Sequence, residues 1–108
     1  MIIASVRIVL LSEKRDEILE VLSHVQGLMR SLSGCLSCAI YEEYGEPPAI
    51  LYLEQWRSKE DLYRHIRSPW YLQVLAAMDL ASEQPEISFH EVANSHGMEL
   101  IEALRGCG

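Results

Sequence analysis

From Ile2 to Leu10 every second residue is apolar: Ile2, Ala4, Val6, Ile8 and Leu10 form one unbroken row, and Ile3, Ser5, Arg7, Val9 and Leu11 a mixed one. A period of two rich in β-branched residues is the pattern of a strand with one face against a core. The period then changes. Ser12 is placed as a helix N-cap, the charged turn "EKRDE" follows, and Ile18, Leu22, Val25, Met29 and Leu32 recur every three or four residues. That is a single helical stripe, expected to run to about Leu32 and to stop at Gly34. A strand with a solid inner row, followed at once by a one-striped helix, requires a layer of sheet against a layer of helix.

The rest of the chain repeats this alternation. "CLSCAIYEEY" and "AILYLEQW" read as two strands, and "GEPP" at 45–48 turns between them, since glycine and two prolines cannot continue a central strand. Ser58 opens a second helix with Asp61 as its capping-box partner, and Leu62, His65 and Ile66 share its inner face. "SPW" is expected to restart that helix, with Ser68 as N-cap, Pro69 at the first helical position, and Leu72, Leu75 and Met78 facing inward. "EISFHEVAN" at 86–94 is the last strand, and residues 96–106 form a short amphipathic helix carrying Met98, Leu100, Ile101 and Leu104. The order β-α-β-β-α-β specifies an α+β, ferredoxin-like arrangement over residues 1–95, with the C-terminal helix and tail at 96–108 as an addition. One face of such a sheet has no helix on it. Ala49, Leu51 and Leu53 nevertheless alternate with Ile50, Tyr52 and Trp56, so both faces are apolar and a homodimer joined through its sheets is expected.

Charge removes several classes of partner. The net charge is −7, and Arg57, Lys59, Arg64 and Arg67 are interleaved with acids, so no basic run exists to bind nucleic acid. No apolar segment reaches the roughly 20 residues of a membrane span. Arg7 sits inside the N-terminal apolar run rather than before it, unlike a signal peptide, and a cytoplasmic location is the default expectation.

Cys35 and Cys38 have C-x-x-C spacing. On a regular strand these two positions point to opposite faces, so they are not expected to share a metal or to pair. Neither opens a helix, where a redox thiol is usually activated. Cys38 is expected as core packing and Cys107 as a free tail thiol.

The stretch "LEQWRSKEDLYRHIRSPWYLQVLAAM" at 53–78 resembles the antibiotic biosynthesis monooxygenase family. That family's pattern is a strand ending in Glu-x-Trp, a Ser-capped helix, a His on that helix, and then Ser-Pro. Glu54, Trp56, Ser58, His65, Ser68 and Pro69 stand at the matching places. "GCLSCAIYEEY" resembles the family's second strand, and the likeness extends over roughly residues 2–94. It implies a dimeric α/β barrel, with a ligand pocket in each subunit between sheet and helices. Some members oxygenate quinols or polyphenols without metal or flavin, others cleave heme, and others have no assigned reaction. Trp70 stands where the family has a histidine after Ser-Pro. The residues at the heme branch's positions, Val6, His65 and Leu75, supply no heme-ligating set, so heme cleavage is not expected.

Cofactor-free oxygenation sets a chemical demand. Triplet dioxygen reacts slowly with a closed-shell phenol, whereas an electron-rich phenolate passes it one electron. The protein must bind an aromatic, remove a proton and stabilise the anion. His65 is the expected proton acceptor, and Tyr41, Trp56, Trp70 and Tyr71 the expected pocket walls, with no metal and no cofactor. Glu54 is expected to be structural, facing the dimer interface or a basic neighbour such as Arg7. Two function classes stand open: a cofactor-independent monooxygenase acting on a quinol or similar aromatic, and a non-catalytic dimeric module that holds a small apolar ligand.

Overall fold

The computed structural model describes residues 1–106, so Cys107 lies outside the described residues. Four strands, β1 (Ile2–Val9), β2 (Cys35–Glu43), β3 (Ala49–Trp56) and β4 (Glu86–Glu91), form one antiparallel sheet in the order β2-β3-β1-β4. Helices α1 (Arg15–Met29), α2 (Lys59–Arg67) and α3 (Tyr71–Met78) cover one face, and α4 (Met98–Arg105) follows the last strand. The ferredoxin-like order read from the sequence is the order observed.

Pairing fixes which side chains meet the helices. Ile2, Ala4, Val6 and Ile8 of β1 stand opposite Trp56, Glu54, Tyr52 and Ile50 of β3. All eight are buried, and the apolar ones join Ile18, Leu22, Val25 and Met29 of α1 in one core. The inner row of β3 is thus apolar except at one position, Glu54.

The other face of the sheet is mixed rather than uniformly apolar. Ile3, Leu51 and Leu53 are partly covered and Tyr41 is exposed. Beside them Ser5 bonds Ser88 (2.8 Å), and Arg7 holds Glu43 (Nη2–Oε2 2.7 Å) and Glu86 (3.6 Å). Arg7 is therefore spent on this face, and Glu54 is not its partner.

Several helix boundaries differ from the expected ones. Ser12 makes no capping bond: Ser12–Lys14 is a 3-10 turn and α1 starts at Arg15. Arg15 instead binds Glu42 of β2 through its side chain, which ties the start of the helix to the sheet. Ser58 does cap α2, accepting from the Asp61 N–H (3.3 Å) while its hydroxyl donates to Oδ2 of Asp61 (2.8 Å). Ser68 caps the end of α2 rather than the start of α3, because its hydroxyl donates to the His65 carbonyl (2.7 Å). This break rotates α3, so that Val74, Ala77 and Met78 face the core and Leu72 and Leu75 lie exposed. Helix α4 buries no residue, and Met98, Leu100, Ile101 and Leu104 all face solvent. It does not pack on its own subunit. The Cα radius of gyration, 16.1 Å, accordingly exceeds the roughly 13 Å of a compact chain near this length.

The junction between α1 and β2 depends on one glycine. Gly34 has φ +87°, and a Cβ there would lie 2.3 Å from Cγ of the buried Asp61. Its carbonyl also accepts the Arg57 N–H at 2.8 Å, so the segment cannot simply move away. Gly34→Ala is expected to destabilise the fold by about 2–4 kcal/mol, from the left-handed backbone and the steric clash together. Urea denaturation checks this, and a loss below about 0.5 kcal/mol would mean that the junction yields.

Candidate active site

Glu54 is the acceptor at the centre of the site. Its Oε2 accepts from the Tyr52 hydroxyl (2.6 Å) and from Nε2 of His65 (3.1 Å), and its Oε1 accepts from Nε1 of Trp56 (3.0 Å). Tyr52, Glu54 and Trp56 are alternate residues of β3, so a single strand face brings all three together. His65 arrives from α2, whose register is set by the Ser58 cap. The side chains of His65 and Glu54 are 1% and 3% exposed. A buried carboxylate survives only when its lone pairs are taken up, and here three donors do so.

This donor set assigns the tautomer of His65. With Glu54 as the acceptor, the neutral imidazole carries its proton on Nε2 and presents a lone pair at Nδ1. Nδ1 is buried and has no hydrogen-bond partner among the described residues. The ring stacks on Trp56 (centroids 5.0 Å apart, planes at 26°) and meets the edge of Tyr71 (5.2 Å, 79°). Burial, and then the charge of Glu54, push the Tyr52 hydroxyl far above the usual phenol range, so Tyr52 acts as a donor and not as a base. The same two causes raise Tyr71.

A cavity of about 290 Å³ opens against His65, lined by Leu32, Trp56, Asp61, Arg64, Ser68 and Trp70 among others. That is at the small end of ligand cavities, which run from roughly 300 Å³ upward. The structure places His65, Trp56 and Trp70 on one cavity, with Tyr71 against the imidazole. Tyr41 does not join them. It pairs with Leu51 on the opposite face of the sheet and is 53% exposed. Glu54 faces the helices, where it organises the site, and not an interface or Arg7. Its signal was legible: a lone acid in the inward row Ile50, Tyr52, Glu54, Trp56 must have buried partners.

The cysteines also depart from expectation. A register shift between Cys35 and Ser37 places Cys35 opposite Trp56 and Cys38 opposite Glu54, so both lie on the helix-facing side. The bulge removes the strict alternation on which the opposite-face expectation rested. Both pack against the core as free thiols, and among the described residues no His/Cys/Asp/Glu group could hold a metal. Burial raises the Cys35 thiol and pushes Cys38 up to about 11. Cys38 should therefore alkylate with iodoacetamide at pH 7.5 about 10²-fold more slowly than an unperturbed thiol of pKa near 8.5. Peptide mass spectrometry over time reads this, and labelling at the rate of glutathione would contradict it.

The sequence profile of the antibiotic biosynthesis monooxygenase family matches residues 1–77. The chain belongs to this family. Every residue of the Glu54 network and of the cavity falls inside the match, whereas β4 and α4 lie beyond it. Solved structures agree on the fold. A candidate antibiotic biosynthesis monooxygenase from Deinococcus radiodurans superposes with a TM-score of 0.80 at 20% identity, covering 90% of this chain and 97% of that one. Rv0793 from Mycobacterium tuberculosis gives 0.78 at 20% identity, over 89% and 98%. SnoaB, a cofactor-independent oxygenase from Streptomyces nogalater, gives 0.74 at 12% identity, over 87% and 94%. An uncharacterized protein of Synechocystis sp. is 27% identical over 84 residues, which are 77% of this chain and 57% of that protein. The chain thus spans little more than half the length of that relative.

Proposed function

We propose that this member of the antibiotic biosynthesis monooxygenase family oxygenates an electron-rich phenol or quinol without metal or flavin, with His65 as the proton acceptor. One observation carries the reading: a buried imidazole on a cavity wall, its Nε2–H held by the Glu54 carboxylate and its Nδ1 without a partner among the described residues. In the reaction, Nδ1 takes the phenolic proton and the anion passes one electron to dioxygen. The resulting radical and superoxide join to form a carbon–oxygen bond. The imidazolium returns its proton to the peroxide anion, and the hydroperoxide loses water together with the hydrogen on the same carbon to leave a carbonyl, so one oxygen atom stays in the product and the other leaves as water. The substrate supplies all the electrons. Glu54 stabilises the imidazolium formed, and Trp56 and Trp70 provide aromatic walls for the ring. SnoaB, a cofactor-independent oxygenase on the same fold, supports this choice of chemistry.

The second reading, a non-catalytic module holding a small apolar ligand, is favoured by the complete burial of Nδ1, an atom the ligand of such a module need not reach. Oxygen uptake against a panel of quinols and polyphenols, with protein dialysed against chelator, separates the two. Uptake that requires both protein and phenol supports the oxygenase; binding without uptake supports the module.

The protein also works, in this proposal, as a homodimer joined through the helix-free face of the sheet, around Ile3, Tyr41, Leu51 and Leu53, with α4 packed on the partner. A stable interface of this kind buries roughly 2,000 Å² or more in total. Sedimentation should give twice the 12.3 kDa chain mass at low micromolar concentration, and a monomeric mass would contradict the dimer.

A further inference from the structure

In a chain whose net charge is −7, the lining of the cavity carries one exposed arginine, Arg64, beside the buried Asp61. Residues 57–67 carry four of the chain's nine basic residues, Arg57, Lys59, Arg64 and Arg67, against two acids, Glu60 and Asp61, and of the four Lys59 is taken up by Glu91 of β4 (3.3 Å), away from the cavity. Arg64 lines the cavity with its side chain 70% exposed. A neighbouring depression, lined by Glu60, Tyr63, Arg64, Arg67 and Ser68, shares Arg64 and Ser68 with the cavity, so the basic surface continues outward from it.

Arg64 is also held in place. Asp61 is 5% exposed, and its Oδ1 accepts Nη1 of Arg64 at 3.0 Å. Its Oδ2 takes Ser58 Oγ (2.8 Å) and the guanidinium of Arg57 (3.1 and 3.2 Å). The Ser58 hydroxyl first, then Arg57 and Arg64, hold the Asp61 carboxyl below the usual carboxylate range. One buried anion therefore orients two guanidiniums. Nε and Nη2 of Arg64 have no protein partner among the described residues, and Arg67 has no ion pair among them. A planar fork with free donors, fixed by a carboxylate at the edge of an aromatic-walled cavity, suits a second carboxylate.

We infer that the ligand of this cavity is an aromatic acid: a phenol whose ring lies between Trp56 and Trp70 and whose carboxylate pairs with Arg64. The inference rests on the proposed use of the cavity for a phenol and adds the charge the ligand carries. The aromatic ring alone would bind by burial in a cavity this small. The carboxylate adds a charge-assisted pair at a partly desolvated lip and selects among phenols of equal size.

The test measures binding under nitrogen, so it does not depend on turnover. A hydroxynaphthoate and the matching hydroxynaphthamide share ring and hydroxyl and differ by one charge. Calorimetric titration at low salt should show the naphthoate binding about tenfold tighter or more. Arg64→Gln should abolish that preference, and Arg64→Lys, which keeps the charge but loses the fork, should retain part of it. Lys14→Gln makes the same change in net charge in the turn before α1 and should leave the preference intact. Equal affinities in the wild type, or an undiminished preference in Arg64→Gln, would overturn the inference. The two proposals fail separately. Oxygen uptake with neutral quinols and no preference for the acid keeps the oxygenase and removes the aromatic acid. A preference for the acid without any oxygenation does the reverse.

Discussion

His65→Ala is expected to lower oxygen-dependent turnover about 10²–10⁴-fold, the usual cost of removing a general base. Three features argue for an effect at the upper end. The imidazole is buried, so water cannot easily take its place. In the neutral ring Glu54 takes the Nε2–H, which leaves Nδ1 as the basic atom. Trp56 stacks on the ring and Tyr71 meets it edge-on, so the base is positioned before substrate arrives. His65→Gln keeps a hydrogen-bonding group without basicity. It should bind the phenol nearly as well and turn it over about as poorly as the alanine variant. Steady-state oxygen consumption, beside a titration of binding, distinguishes the two contributions. Full turnover in His65→Ala would mean that the pocket works by binding and orientation alone.

Glu54→Ala should cost about 3–5 kcal/mol of stability, because one substitution strands three buried donors: the Tyr52 hydroxyl, Trp56 Nε1–H and His65 Nε2–H. The three donors belong to residues that are themselves at most 3% exposed, so solvent cannot readily satisfy them. Glu54→Gln should cost less, since its carbonyl still accepts. Its NH₂ group, however, cannot accept, and where it faces Nε2 the imidazole proton moves to Nδ1. That variant is expected to fold and yet to lose about 10²-fold or more in turnover. Guanidinium unfolding of both variants, paired with oxygen consumption of the glutamine variant, checks the two claims. A loss below 1 kcal/mol in Glu54→Ala would show that the network does not hold the site together.

The residues that gave the fold away and those that concealed the site differ in kind. The inner row of β1 and the stripe Ile18, Leu22, Val25, Met29 were legible because burial against one neighbouring layer imposes a period on the sequence. The α2 cap was legible because Ser58 and Asp61 satisfy each other locally. Ser12 and Ser68 carry the same local signal, but distant or preceding groups decided those ends: Arg15 reaches Glu42 across the sheet, and Ser68 turns back to the His65 carbonyl. The break at Ser68 also set the rotation of α3, which is why Val74 and Ala77, not Leu72 and Leu75, face inward. Tyr41 was misplaced because residue type suggests a pocket wall, whereas strand parity decides the face. Cys35 escaped parity through a bulge that no local residue announces. Glu54 is readable from parity as an inward acid beside Tyr52 and Trp56, whereas its third partner, His65 of α2, becomes visible only when sheet and helix are joined. Helix α4 carries a clear apolar stripe and finds no surface on its own subunit.

Among the described residues no helix is long and apolar enough to cross a membrane, and Arg64 and Trp70 are part of the lining of the cavity beside His65. In the proposed reaction a Glu54-held imidazole removes a phenolic proton so that dioxygen can react. The most direct measurement is oxygen consumption with an electron-rich quinol by chelator-dialysed wild-type protein, run beside His65→Ala at equal concentration. The account predicts phenol-dependent uptake by the wild type that needs no added metal or flavin, and a loss of at least about 10²-fold in the variant. Uptake that is equal in the two proteins, or absent from the wild type across the whole panel, would contradict it.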